Sequence, residues 1–444
     1  MSNKLYIKTF GCQMNEYDSQ KTVEILKEKK GMEITTNVEE ADIILLNTCS
    51  IREKAEDKVY SELGRLNKLK INNPNIKIGV GGCVATQEGA NITKRAPYVD
   101  LIYGPQTLHK VADLLDEKDK LKAIDITFPI EEKFDSLPIP TATSPSSFVA
   151  IMEGCSKYCS FCVVPYTRGD EVSRNPQQIF DEIARLVEQG TSEIVFVGQN
   201  VNSYKQVHDG RTLRLSDLID IASNINGVER IRYTTSHPLD MTDDLIDIYK
   251  SVPQLANQLH LPVQSGSDRV LKAMKRNYTA DYFRDIVSRV KKHRPNIKVT
   301  SDFIVGFPGE THDEFMETMK LIEDIQFDSS FSFIYSPRPG TPASILEDNI
   351  SKEEKKERLN ILQNRLNEIQ RGFSKKMEGS IQRCLVTGIS KKRLDQLQAR
   401  TECNRVINFP FHNIGFIGKL VDIKVEKALA YSLLGSLHNT KELT

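Results

Sequence analysis

Apolar runs and helical stretches alternate along the first 120 residues. Leu5–Phe10, Ile43–Leu46 and Ile76–Val80 read as buried strands, with helices expected over 16–30 and 52–70. This rhythm predicts an open parallel α/β domain over residues 1–120. Residues 121–147 turn rich in Pro, Ser and Thr and read as a linker. The rhythm resumes over 148–372, with strands expected at Phe148–Met152, Glu193–Val197, Arg230–Thr235, Gln258–Leu261, Lys298–Ile304 and Ser330–Tyr335. Helical patterns such as Pro176–Gln189 and Ala280–His293 separate them. Six β/α units fit a partial (β/α)6 barrel better than a closed eightfold one. The charged stretch 351–378 reads as a helix leading out. From 380 onward short strands return at Cys384–Ile389, Leu397–Thr401, Arg405–Phe409, Leu420–Val425 and Ala430–Leu434. They predict a small β-barrel, with domain limits at 375–441.

The 444 residues carry 60 basic and 60 acidic side chains, so overall charge argues neither for nor against a nucleic-acid partner. Eight cysteines in a chain this long are too few for a small secreted disulfide scaffold and suit a reducing compartment. The opening Met-Ser-Asn-Lys-Leu-Tyr-Ile enters a strand pattern without a basic region and apolar run. No signal peptide is expected, and a cytoplasmic place is. No window approaches 18 consecutive apolar residues, so no membrane span is expected.

The cysteines carry the chemistry. Cys155, Cys159 and Cys162 fall within eight residues, Cys155-Ser-Lys-Tyr-Cys-Ser-Phe-Cys162. Iron–sulfur clusters are usually held by four thiolates. Three so close together can hold three corners of a 4Fe–4S cube and leave one iron open. The alternatives are a zinc site, which needs a fourth ligand, and buried inert thiols. The nearest other cysteines, Cys83 and Cys384, are distant in sequence. A second trio shares one local setting: Cys12, Cys49 and Cys83 each follow an expected buried strand. Sites in parallel sheets form at the carboxyl ends of strands. With strands ~4.8 Å apart, the three can converge on one cluster. Gly11, Gly81 and Gly82 are expected to let backbone approach that cofactor. Three inert buried thiols remain the alternative. The Gly-Val-Gly-Gly before Cys83 lacks the Lys-Ser/Thr of a phosphate loop.

These residues together resemble the methylthiotransferase family of radical S-adenosylmethionine (SAM) enzymes, and the likeness covers nearly the whole chain. It implies an N-terminal domain with an auxiliary cluster, a radical SAM core and a C-terminal RNA-binding barrel of the TRAM type. Thr9-Phe-Gly-Cys-Gln-Met-Asn-Glu-Tyr-Asp-Ser19, Asn47-Thr-Cys-Ser-Ile-Arg-Glu-Lys-Ala55 and Ser147-Phe-Val-Ala-Ile-Met-Glu-Gly-Cys155, running on to Val163-Val-Pro-Tyr-Thr-Arg-Gly169, look like the members that modify isopentenyladenosine in tRNA. The resemblance implies two 4Fe–4S clusters, on Cys155, Cys159 and Cys162 and on Cys12, Cys49 and Cys83. One SAM would be cleaved reductively for radical chemistry and a second would donate the methyl group. The target would be carbon 2 of isopentenyladenosine beside the anticodon. Same-family alternatives act on threonylcarbamoyl-adenosine or on a ribosomal protein. A non-catalytic zinc-containing RNA-binding protein is the alternative of another class. A flavodoxin- or ferredoxin-like electron donor and a monomeric state are expected by analogy.

Gly198, Gln199 and Asn200 follow the second core strand where such enzymes carry a SAM-binding loop, although amides replace the acid. Ser236, Gln264 and Asp302 lie at or near later strand ends, which in β/α barrels face the active site. By resemblance these six contact SAM. His237 is read either there or as a core histidine, and Gly306 and Gly309 as site or turn residues. Arg168 is read as a contact for phosphate or carboxylate, or as a solvated charge. The segment 380–444 carries ten Lys/Arg against five Asp/Glu. Lys391, Lys392, Arg393, Arg400 and Arg405 are its candidate phosphate contacts. Cys384 and Cys403 read as ordinary thiols.

Overall fold

The computed structural model describes residues 3–50, 53–116, 123–129, 132–410 and 414–438. Expected first-domain positions 1, 2 and 117–120, linker positions 121, 122, 130 and 131, barrel positions 411–413 and 439–441 and motif positions 51 and 52 lie outside them. Six parallel strands build the first sheet: β1 (Lys4–Thr9), β2 (Glu33–Ile34), β3 (Ile43–Thr48), β4 (Lys77–Gly82), β5 (Leu101–Tyr103) and β6 (Ala123–Asp125). Their spatial order is β2-β1-β3-β4-β5-β6. Every residue of β3 is buried, as its unbroken Ile-Ile-Leu-Leu run requires of a central parallel strand. β6 falls inside the stretch expected to be linker, and its pairing with β5 carries this sheet to Asp125.

The core strands are β7 (Ser146–Ala150), β8 (Met152–Glu153), β9 (Val172–Ser173), β10 (Glu193–Val197), β11 (Lys205–His208), β12 (Arg211–Arg214), β13 (Arg230–Tyr233), β14 (Gln258–His260), β15 (Lys298–Thr300), β16 (Asp302–Val305) and β17 (Phe331–Ile334). β7, β10 and β13 form one parallel run, followed by the parallel pairs β14–β15 and β16–β17. Single bridges at Ile231–Leu255 and Gln264–Phe303 connect the runs. β15 and β16 together occupy the stretch expected as one strand, so six units curve into an open barrel. The antiparallel hairpin β11–β12 was not anticipated.

Side chains alternate across this barrel wall. Val149, Ile194 and Phe196 pack outward against Ile179 and Ile183. Ala150, Val195 and Val197 point the other way and meet Met14 and Tyr17. These two belong to the helix Gln13–Lys30 of the first domain, which therefore packs against the inner face of the core. The helix buries Asn15, Asp18, Ser19, Lys21, Thr22 and Glu24 as well. Their charges are matched across the seam. Asp18 pairs with Arg168 at 2.7 Å and Lys133 at 3.1 Å, and Arg168 reaches Glu153 at 2.7 Å. Lys133 also pairs with Glu153. Lys21 meets Glu24 and Glu182, each at 3.0 Å. Burial alone would raise the Asp18 carboxyl, but Lys133 and Arg168 outweigh it and hold it below the usual range. Buried pairs add little net stability, yet removing one partner strands the other charge.

After β17 the helix Lys352–Lys376 runs back along the core, capped by Ser351, whose hydroxyl accepts from Glu354 N–H. It delivers the chain to a closed barrel of β18 (Ile381–Ile389), β19 (Gln396–Thr401), β20 (Val406–Pro410), β21 (Leu420–Ala428) and β22 (Leu433–Leu437). This barrel docks on the amino ends of the core strands. Arg230, first in β13, donates to the carbonyls of Arg400 and Arg383, each at 3.0 Å. Arg232 donates to Thr401 O at 2.8 Å, and Ser192 to Gly418 O at 2.5 Å. Arg405 grips Asp328, just before β17, through both oxygens at 2.7 and 2.5 Å.

Arg405→Ala leaves Asp328 buried and unpaired. It should cost about 3–5 kcal/mol of docking, read as faster limited proteolysis between the core and the last barrel.

Candidate metal centre

β1, β3 and β4 run in register, with Thr9 opposite Asn47 and Asn47 opposite Gly81. Their carboxyl ends are therefore level. Cys12 caps the helix Gln13–Lys30, Cys49 follows β3, and Cys83 opens the helix Cys83–Glu88. Asn15 stitches these ends together. Its Nδ2 donates to Thr48 O at 2.8 Å, while Asn47 Nδ2 donates to Asn15 O at 2.8 Å. Cys12 Sγ donates to Asn15 Oδ1 at 3.3 Å. Gly11 has φ +117°, and a Cβ there would lie 2.3 Å from Cys49 Cβ. At Gly82 a Cβ would lie 2.3 Å from Thr48 O, and at Gly81 it would strike the Tyr103 ring. The glycines let neighbouring protein segments close in on one another. A hydrogen bond with Cys49 draws the Cys12 thiol down to about 6, against burial and with help from the Arg168 charge. Burial raises Cys83, and Arg168 counters it.

The other trio sits at the carboxyl end of the core. Gly154, at φ +76°, turns the chain where a Cβ would lie 1.9 Å from Asp170 O. Cys155 N–H donates to Gly169 O at 3.1 Å, and Cys162 N–H to Cys159 O at 3.0 Å. Ser160 ties the loop to Ala273 O through its hydroxyl at 2.8 Å. Burial pushes Cys155 up to about 11 and Cys162 up to about 12. A bound cation reverses that preference, because a coordinating thiol is deprotonated.

The donor set and surroundings of Cys155, Cys159 and Cys162 fit an iron–sulfur cluster. Buried Arg276 places Nη1 3.5 Å from Cys159 Sγ and donates to Pro262 O at 2.7 Å. Among the described residues it forms no ion pair with a carboxylate. An isolated buried charge is costly, and an anionic thiolate cluster would balance it. Among the described residues, no three Cys, His, Asp or Glu side chains gather as a single ion would require. Zinc needs its ligands on one ion, whereas a cube spreads them over separate irons.

Of the expected SAM contacts, Gln199 turns toward the cysteine loop, and its Oε1 accepts from Gly154 N–H at 2.6 Å. Asn200 Nδ2 donates to Asp240 at 2.7 Å, and Asp240 also holds Lys157 of the cysteine loop at 2.7 Å. Asn200 Oδ1 and Ser236 Oγ are buried without a hydrogen-bond partner. Gly198 packs tightly, since a Cβ there would lie 2.6 Å from Met152 Sδ. Gln264, at φ +75°, exchanges backbone hydrogen bonds with Asp302 O and Ile304 N–H, both at 2.9 Å. Asp302 faces His260 at 3.8 Å. His237 stacks edge-on to Tyr278 at 5.7 Å, and Tyr278 accepts from Arg276 at 3.0 Å.

Several side chains depart from their sequence readings. Arg168 contacts carboxylate, one of its sequence readings, but those of Asp18 and Glu153 within the protein; it is buried against them, Asn15 and Cys83 and is not solvated. Arg405 is sequestered by Asp328 and cannot face RNA, which corrects its assignment as a phosphate contact. Arg400 is half-buried and donates to Asn404 O at 3.1 Å. Lys391, Lys392 and Arg393 are exposed on the turn after β18, with Arg393 drawn to Asp395 at 2.7 Å. Arg276 was missed altogether, because nothing local in the sequence distinguishes it from a surface arginine.

A partial barrel with Cys-x3-Cys-x2-Cys at its carboxyl ends defines the radical SAM class. Residues 4–104 match the uncharacterized protein family UPF0004, 149–322 the radical SAM superfamily and 375–438 the TRAM domain. Over 98% of its length the chain is 56% identical to 98% of the tRNA-2-methylthio-N(6)-dimethylallyladenosine synthase of Hahella chejuensis. The enzyme of the same name from Pseudomonas syringae pv. syringae is 55% identical, with 98% of this chain covering all of it. The chain belongs to this synthase family. Among solved structures, the Kitasatospora setae radical SAM methyltransferase TsrM shares the fold, with TM-score 0.56 at 12% identity over 78% of this chain and 77% of that one. The cobalamin-dependent enzyme OxsB aligns at TM-score 0.54 and 14% identity, covering 83% of this chain and 58% of that one. Among the described residues no helix is long and apolar enough to cross a membrane.

Burial, with the Arg276 and Lys157 charges, lowers His237 to about 2. Unfolded chains take up this proton near pH 6.5 and the folded one does not, so stability is lost as pH falls below that value. His237→Asn in the apoprotein should flatten the fall in melting temperature between pH 6.5 and 5, removing roughly 1 kcal/mol per pH unit.

Proposed function

We propose that this chain adds a methylthio group to carbon 2 of N6-dimethylallyladenosine (isopentenyladenosine) beside the anticodon of tRNA. The observation that carries the reading is the packing of the helix that follows Cys12 against the core that carries the other cysteine trio. Helix Gln13–Lys30 begins at Cys12, and Gln13 accepts a hydrogen bond from Thr234, just past β13, at 2.8 Å. The shared name of the synthase relatives supports this target over threonylcarbamoyl-adenosine or a ribosomal protein, and family membership displaces the zinc alternative.

Cys155, Cys159 and Cys162 would hold the cluster that binds SAM, and Cys12, Cys49 and Cys83 the auxiliary one. When bound, the two clusters and two molecules of SAM supply the radical chemistry, the sulfur site and the methyl group. Gln199 braces the first loop and Asp240 fixes Lys157. The buried oxygens of Asn200 and Ser236 offer hydrogen bonds to SAM, with Gly198, Gln264 and Asp302 beside them at the strand ends. Helix Gln13–Lys30 and the apolar contacts of Met14 and Tyr17 keep water from the seam. An unpaired base can be splayed into such a pocket. Lys391 and Lys392 offer phosphate contacts that position rather than specify. Family likeness further supports a flavodoxin- or ferredoxin-type donor, a monomer and a cytoplasmic place.

Anaerobic iron analysis should find about eight irons per chain, by four per cube, and about four in Cys49→Ala. That variant should still cleave SAM but yield no methylthio product. In a strain lacking the gene and any redundant enzyme, methylthio-isopentenyladenosine should vanish from tRNA nucleosides by mass spectrometry. Its persistence would exclude the assignment.

A further inference from the structure

Arg168 belongs to the core, where it holds Glu153, yet sends its other side-chain hydrogen bonds into the first domain. It ends the short helix Val164–Arg168, which begins two residues after Cys162. Its backbone carbonyl accepts from Gln106 of the first domain at 2.6 Å. Its guanidinium donates through Nε to Cys83 Sγ at 3.4 Å and through Nη2 to Asn15 Oδ1 at 3.2 Å. The same Asn15 oxygen accepts from Cys12. One side chain thus touches one cysteine of the second trio directly and another through a single shared atom.

The charges around it close on themselves. Arg168 and Lys133 balance Asp18 and Glu153. A lysine at 168 would satisfy that balance, but it lacks the planar fork needed to reach sulfur, amide and carboxylates together. The residue type therefore answers a demand beyond neutrality.

We propose that Arg168 is a positioning residue that locks the two cysteine sites in register and raises the reduction potential of the cluster on Cys12, Cys49 and Cys83. This rests on reading that trio as a cluster site. Hydrogen bonds to sulfur and local charge tune cluster potentials. Reduction adds negative charge, and a cationic donor on a ligating sulfur stabilises that form, so its loss must lower the potential.

The test uses the full chain with Cys155, Cys159 and Cys162 all replaced by Ala, so that only the second cluster is loaded. Iron content is measured first. Its absence in that parent would defeat the reading of the trio rather than this inference. With iron present, Arg168→Met should lower the reduced fraction at a fixed ambient potential roughly tenfold, about 59 mV for one electron. Arg168→Lys, which returns the charge without the fork, should fall between Met and the parent. Should Arg168→Met fail to fold, Arg168→Met with Glu153→Gln restores neutrality and must show the same lowering. Unchanged potentials in the folded variants at full iron content would overturn the proposal.

Discussion

Charge taken out of water at the seam between the first two domains is the constraint on which the arrangement depends. Asp18, Lys133, Glu153 and Arg168 are all nearly inaccessible to solvent, and each is tolerable only while its partners are in place. Such a set contributes little net stability, but it penalises every misplacement of one domain against the other. That penalty suits a molecule whose two reactive sites are built on separate sheets and have to meet.

Each cysteine site has its own buried guanidinium, and the two are balanced differently. Arg168, on Cys83, is neutralised by carboxylates. Arg276, on Cys159, has a phenol and a carbonyl as its remaining partners. The first site is close to neutral before anything binds, whereas the second holds a cation in search of an anion.

The strands legible in the sequence were those whose burial leaves a local trace. Ile43–Leu46 stood out because both faces are covered, and Glu193–Val197 and Ala280–His293 appeared with the limits expected. β2, β5 and β6 escaped because two or three residues are too few for a period to show, and β6 lay in a Pro-rich stretch. The cysteines were legible because their chemistry needs a fixed spacing or a fixed place after a strand. Arg168, Arg276 and Arg405 were not, because an arginine looks the same in sequence whether water or a carboxylate faces it. Asp18, Lys21 and Glu24 would pass for a solvated helix face, and only the packing of a second domain over them makes them an interface.

The last barrel seals the amino ends of the core strands, while both cysteine sites stand at carboxyl ends. The helix Lys352–Lys376 spans that gap with 25 residues, about 37 Å at 1.5 Å per residue. Anything that touched both ends would have to lie along the flank of the core. The separation of the barrel from the cysteine sites is thus set by one rigid helix along the core.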